Sequence, residues 1–222
     1  MTRSVLVATG LVFLLTLDLG AATVAGKVAF ASKRGQKPAI NETLVWLDPL
    51  GAKPARKPAA TVSMTTRNKT VFPHVMAVPA GSTINFPNED PISHNLFSLT
   101  PGNTFDLGLY RKGTGKAQKF DSPGAVNVYC NVHPNMSAVV HVMATPYYGF
   151  ADASGSFSFD VPPGKYRLTA WNELGGSATS DIEVGADGKV QGATQLTIDS
   201  RNFRAVQHKN KFGQTYKAPK DY

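Results

Sequence analysis

Cys130 is the only cysteine in the chain of 222 residues, and it opens the run Cys130-Asn131-Val132-His133-Pro134-Asn135-Met136. A further histidine stands upstream in the pair His94-Asn95. One thiolate, two imidazoles and one thioether form a ligand set suited to a single redox-active copper ion. Soft thiolate sulfur favours Cu(I), imidazoles serve both oxidation states, and a weak axial thioether tunes the potential. An electron can then be gained or lost with little movement, so the chemistry expected of these residues is one-electron transfer.

Positioning them sets demands on the chain. Cys130, His133 and Met136 fall within seven residues, and an extended backbone at roughly 3.3 Å per residue would hold them apart. Their loop must fold back on itself, and Pro134 stiffens it by fixing one φ angle. His94 follows the turn-rich segment Phe86-Pro87-Asn88-Glu89-Asp90-Pro91 that closes a strand. A β-sandwich can bring two such loops together at one end. Short alternating runs broken by Gly, Pro, Asn and Asp favour all-β architecture. Strands are expected at Lys27 to Ser32, Thr43 to Leu47, Val75 to Val78, Ser82 to Phe86, Val126 to Tyr129 and Ala138 to Met143. Pro49 to Pro58, rich in Pro, Lys and Ala, reads as a loop.

Phe86 to Met143 resembles a cupredoxin of the plastocyanin and amicyanin type, with the Cys-x-x-His-x-x-Met spacing of amicyanin. The resemblance implies a Greek-key β-sandwich holding one type 1 copper. His94, Cys130 and His133 would form its equatorial plane and Met136 its axial contact. It also implies that the Asn95 side chain ties the two ligand loops together near the cysteine sulfur and so orients the ligands. Tyr129, next to Cys130, would open a longer electron route to a distant face, with the edge of His133 as the near one. The resemblance does not account for the lysine- and proline-rich stretch before Thr61 or for a second domain.

From Thr145 the alternating pattern restarts with Tyr147-Tyr148-Gly149-Phe150, Ser156 to Val161 and Tyr166 to Trp171, separated by Ala153-Ser154-Gly155 and Pro162-Pro163-Gly164. This part resembles the carboxypeptidase regulatory-like domain, a transthyretin-like antiparallel sandwich, which implies a spacer or partner-binding module without catalytic chemistry. Arg201 to Tyr222 carries six Lys or Arg against one Asp and almost no apolar periodicity. The organisation expected is a signal peptide over 1–22, a cupredoxin domain over 23–144, a small β-sandwich over 145–200, and a basic tail over 201–222 that is solvated or draped on the surface.

Arg3, the apolar run Val5 to Leu17 and the small residues Gly20-Ala21-Ala22 have the layout of a secretory signal. The apolar run is too short for an ordinary membrane span. Cleavage after Ala22 or after Ala25 fits the pattern, and a retained anchor is the rival. A periplasmic or otherwise exported chain usually pairs its cysteines, so a single thiol calls for another use. The formal net charge of +8 suits an acidic redox partner, such as a cytochrome or dehydrogenase, or contact of the basic tail with an anionic membrane. Nucleic acid is not expected for an exported chain. Zinc is the rival metal, and a thioether fits its usual ligands poorly. A copper chaperone or storage protein would favour a Met-rich or His-rich tract, which is missing here. A copper enzyme would need a second metal site, and only His74, His141 and His208 remain to build one. His141, on the strand leaving the first site, is the strongest candidate for a further ligand. A structural cell-envelope β protein without redox activity is the bland alternative.

Overall fold

A computed structural model describes residues 20–51, 56–205 and 207–216. Most of the expected signal segment, the middle of the Pro- and Lys-rich loop and the last six residues lie outside the described residues. No described helix is long and apolar enough to cross a membrane. The chain is all-β and builds two sandwiches.

The first sandwich packs two five-stranded sheets face to face. One runs in the order Gly113–Phe120, Ser82–Asn88, Thr65–Arg67, Thr70–Phe72, with Thr61–Ser63 also paired to Ser82–Asn88. The other runs Val75–Pro79, Ser137–Met143, Gly124–Cys130, Leu96–Ser98, Phe105–Asp106. Strand side chains alternate between faces, so Ile84 and Phe86 from one sheet and Val126, Val128 and Cys130 from the other all point into a single core. Cys130 is thereby placed at the buried end of a strand by the same period that buries Val126 and Val128. Phe86, Phe105 and Phe120 fill the centre, with ring centroids 5.7 to 6.4 Å apart. Each such buried side chain contributes roughly 1.5 to 3 kcal/mol through lost apolar exposure.

The strand Gly113–Phe120 was not expected, because only its last residue is buried and its face carries no apolar alternation. It is an edge strand whose register shifts between Gly113 and Lys116. Gly115 makes that shift possible: at φ +76° a side chain is strained, and an added Cβ would collide with the Phe86 carbonyl.

The second sandwich corrects the expected domain boundary. Strand Ala22–Ala31 lies between Ser156–Val161, antiparallel, and Gln195–Asp199, parallel. Strand Leu44–Pro49 lies between Tyr148–Phe150 and Gly164–Asn172, both antiparallel. Residues 22–50 therefore belong with 145–200 rather than with the ligand-bearing part, and the first sandwich is inserted between these two portions. Without Ala22–Ala31, the three-stranded sheet would lose its centre. Val24, Val28, Val45 and Leu47 join Phe157, Tyr166, Leu168 and Ile198 in one core. Alternation in sequence reveals that these are half-buried strands, but not which distant strand each one pairs with.

Two histidines join the sandwiches. The His74 ring bonds the Ser137 carbonyl at 3.0 Å and the Glu173 carboxylate at 2.6 Å. His141, expected as the strongest further ligand, is instead packed between Trp171 and Trp46, with centroids 4.3 and 6.0 Å away. Its Nε2 has no hydrogen-bond partner among the described residues. Burial pushes His141 down to about 4. Below the ordinary imidazole value of about 6.5 the unfolded chain then binds a proton that the folded chain refuses. Stability from this residue is full above that value and falls as pH drops toward about 4. Between pH 7.5 and 5 the parent chain is expected to lose about 2 kcal/mol more than His141→Phe, measured by urea unfolding. His74, held up by its bond to Glu173, acts with the opposite sign in both chains, so the difference between them isolates His141. Equal losses would show that His141 is not held neutral.

Candidate metal centre

A strand end at Cys130, an isolated bridge at His94 and the loop carrying His133 deliver the donors. His94 is fixed by two main-chain bonds with Tyr110, its N–H donating at 3.0 Å and its carbonyl accepting at 2.9 Å. Across from it, the Cys130 N–H donates to the Met136 carbonyl at 3.0 Å, and the Met136 N–H donates to the His133 carbonyl at 3.1 Å. These two bonds fold the loop back after Cys130, the reversal that the close spacing of the three residues requires. The Val132 N–H faces the Cys130 sulfur at 3.4 Å, an interaction that stabilises negative charge on sulfur.

His94 Nδ1 and His133 Nδ1 lie 3.2 Å apart, and the Cys130 sulfur is 3.9 and 3.8 Å from them. The point equidistant from three atoms so placed is about 2.1 Å from each, the length of a metal bond to imidazole and about 0.2 Å short of one to thiolate. These residues form the one metal-sized group of His, Cys, Asp or Glu donors found among the described residues. Met136, from the same loop, is buried beside Cys130 in the first core.

Sequence reasoning missed Asp90. Its carboxylate accepts from the His94 ring at Nε2, 2.8 Å away, and from the N–H groups of Asn68 at 2.6 Å and Lys69 at 3.0 Å. Donation from Nε2–H leaves the lone pair of His94 on Nδ1, facing the sulfur and His133, so the carboxylate selects the tautomer that can bind a metal. Burial alone would raise the Asp90 carboxyl, but the Lys69 and Asn68 N–H groups and the His94 ring outweigh it and hold the carboxyl below its ordinary value. The readable signal was an acidic residue four positions before the histidine, in a segment taken only as a turn. His133 is held below the usual imidazole range by burial, with the charges of His94 and Lys69 acting in the same direction. Two imidazole nitrogens and a sulfur facing one point are donors for a cation.

Asn95 departs from its expected part. Its side chain donates to Asp106 at 2.6 Å. The tie between the ligand loops is made by main chain, from the Asn131 N–H to the Asn95 carbonyl at 2.8 Å. Tyr129 is half-buried and tilted against Phe97, and the face it opens onto is covered by the described part of the tail. Val132 beside His133, and Ile92 and Leu109 on the segments flanking His94, are exposed apolar residues.

No protein-family model matches the chain, and no curated protein sequence matches it. Among solved structures, it is similar to amicyanin from Paracoccus versutus, at 21% identity over 44% of this chain and 97% of that one, with a TM-score of 0.33. A purple cupredoxin from Nitrosopumilus maritimus is 22% identical over 37% of this chain and 99% of that one, with a TM-score of 0.31. A copper-containing nitrite reductase from Thermus scotoductus is 17% identical over 52% of this chain and 28% of that one, with a TM-score of 0.36.

Proposed function

We propose that this chain is an exported type 1 copper protein that carries single electrons between redox partners. The observation that carries the reading is the convergence of His94 Nδ1, His133 Nδ1 and the Cys130 sulfur at the spacing one metal ion requires. A copper ion bound there supplies the one-electron couple, and Met136 in the same loop selects copper over zinc. The chain's own part is to hold the donors still. Asp90 fixes the His94 ring, the Cys130–Met136 bond fixes the loop, and strand pairing on both sides resists rearrangement when the charge changes. Half-buried His133, beside exposed Val132, offers the short path to a docked partner. An acidic cytochrome or dehydrogenase would suit the positive net charge. The second sandwich acts as a spacer or a partner-binding module of transthyretin-like form.

The test is a visible absorption spectrum of the purified chain reconstituted with Cu(II). An intense band that bleaches on reduction is the thiolate-to-copper transition expected of this ligand set. A colourless protein that takes up no copper would overturn the reading in favour of a structural cell-envelope protein. Met136→Leu is expected to keep the band and raise the midpoint potential, because loss of the thioether removes a donor that stabilises Cu(II) more than Cu(I). An unchanged potential, measured by voltammetry, would show that Met136 is not a ligand.

A further inference from the structure

The described part of the basic tail is draped on the surface and bonded to it. Residues 207–216 lie across both ligand loops. The main-chain N–H of Lys211 donates to the Asn131 side chain at 3.0 Å, and its Nζ reaches Asp106 at 2.6 Å. Asp106 is the carboxylate that accepts from Asn95, so one lysine reaches the His94 side and the Cys130 side together. The Tyr216 hydroxyl donates to the carbonyl of Cys130 at 2.6 Å. The His208 ring stacks on Tyr129, with centroids 4.4 Å apart and planes 15° from parallel, and meets the edge of Tyr216 at 5.3 Å.

This segment also has internal order. The Asn210 side chain accepts from the N–H groups of Phe212 and Gln214, both at 3.0 Å, and Asn210 exchanges two main-chain bonds with Gly213 and Gln214. A turn closed in this way presents Lys211 and Tyr216 at fixed positions rather than as the ends of a free chain.

We propose that residues 207–216 are a clamp on the metal centre, with Lys211 and Tyr216 as positioning residues that hold the Asn95 and Cys130 loops in register. The proposal rests on the copper reading for its functional meaning. The physical basis is that groups bonded to a ligand's own backbone or to its neighbours hold the ligand's geometry and set the field around it. The ammonium of Lys211 and the hydroxyl proton of Tyr216 both place positive charge near the site, which favours Cu(I) over Cu(II). Their removal loosens the loops and lowers the midpoint potential.

The experiment compares the full-length parent chain with Tyr216→Phe, Lys211→Met and, as a control within the same segment, Gln214→Ala. With Cu(II) bound, the first two variants are expected to keep the intense visible band, since Cys130 remains. They should release copper to a chelator roughly tenfold faster and show a lower potential, while the control matches the parent. A second readout needs no metal: the rate at which iodoacetamide alkylates Cys130, the only thiol in the chain, in the metal-free protein. Loosened loops should raise that rate several-fold in both variants. Parent-like alkylation, release rate and potential in Tyr216→Phe and Lys211→Met would overturn the clamp and leave the segment as a passive cover. A parent chain that takes up no copper would overturn the copper reading instead, and the alkylation rates would still decide whether the clamp exists.

Discussion

Reconstituted with Cu(II), a Cys130→Ala chain is expected to lose the intense visible band completely. The band reports electron density shared between one sulfur and the metal, and no second cysteine can replace Cys130. The substitution is also a clean one. Cys130 is fully buried beside Met136 and Val128, and exchanging a thiol for a hydrogen there costs about 1 kcal/mol, the scale of one buried methylene. The sandwich should therefore stay folded, as circular dichroism and thermal unfolding of the metal-free chain would check. Two imidazoles and a thioether would remain, a set with no anionic donor, so copper retention should fall along with the colour. A variant that stayed blue would overturn the ligand assignment outright, because the transition cannot arise without a thiolate.

The second large effect belongs to Asp90, whose only mark in the sequence is its place four residues before His94. Asp90→Ala strands the His94 Nε2–H and the N–H groups of Asn68 and Lys69 together. Of these only His94 is buried, and an unpaired buried donor costs about 1 to 3 kcal/mol, whereas exposed Asn68 and Lys69 can turn their N–H groups to water. A fall in metal-free stability of roughly 2 kcal/mol is expected, measured by urea unfolding. Loss of the tautomer lock should weaken copper binding about 10- to 100-fold, read by competition with a chelator. Asp90→Asn separates the two effects. Its amide oxygen can still accept from the Asn68 and Lys69 turn and so recover stability. Its NH₂ group, turned toward His94, would favour the imidazole tautomer that carries its proton on Nδ1, the atom a metal needs free. Asn should then harm binding nearly as much as Ala while costing less stability. Copper binding by Asp90→Asn at the parent's affinity would show that the carboxylate does not choose the tautomer.

What the sequence determined by itself is local chemistry and local period. The types and spacing of Cys130, His133 and Met136 marked three donors in one short loop, and alternation marked Val126 to Tyr129 as a strand leading into it, because a strand's two faces follow from its backbone geometry alone. The strands at Val75–Pro79, Ser82–Asn88 and Ser137–Met143 were legible on the same grounds. The edge strand Gly113–Phe120 was not, since a strand with one buried residue carries no apolar signal. Tertiary structure alone decided the partners. Ala22–Ala31 reads equally well as a strand of either sandwich, and only its pairing with Ser156–Val161 and Gln195–Asp199 assigns it. The same holds at the site. Asp90 looks like a turn residue until folding sets it 2.8 Å from His94, and Tyr216 looks like part of a polar tail until it meets the Cys130 carbonyl, 86 residues away in sequence. Hydrogen bonds and pairings between distant segments depend on where the chain brings two groups together, and neither the identity of Tyr216 nor its neighbours along the chain contain that information.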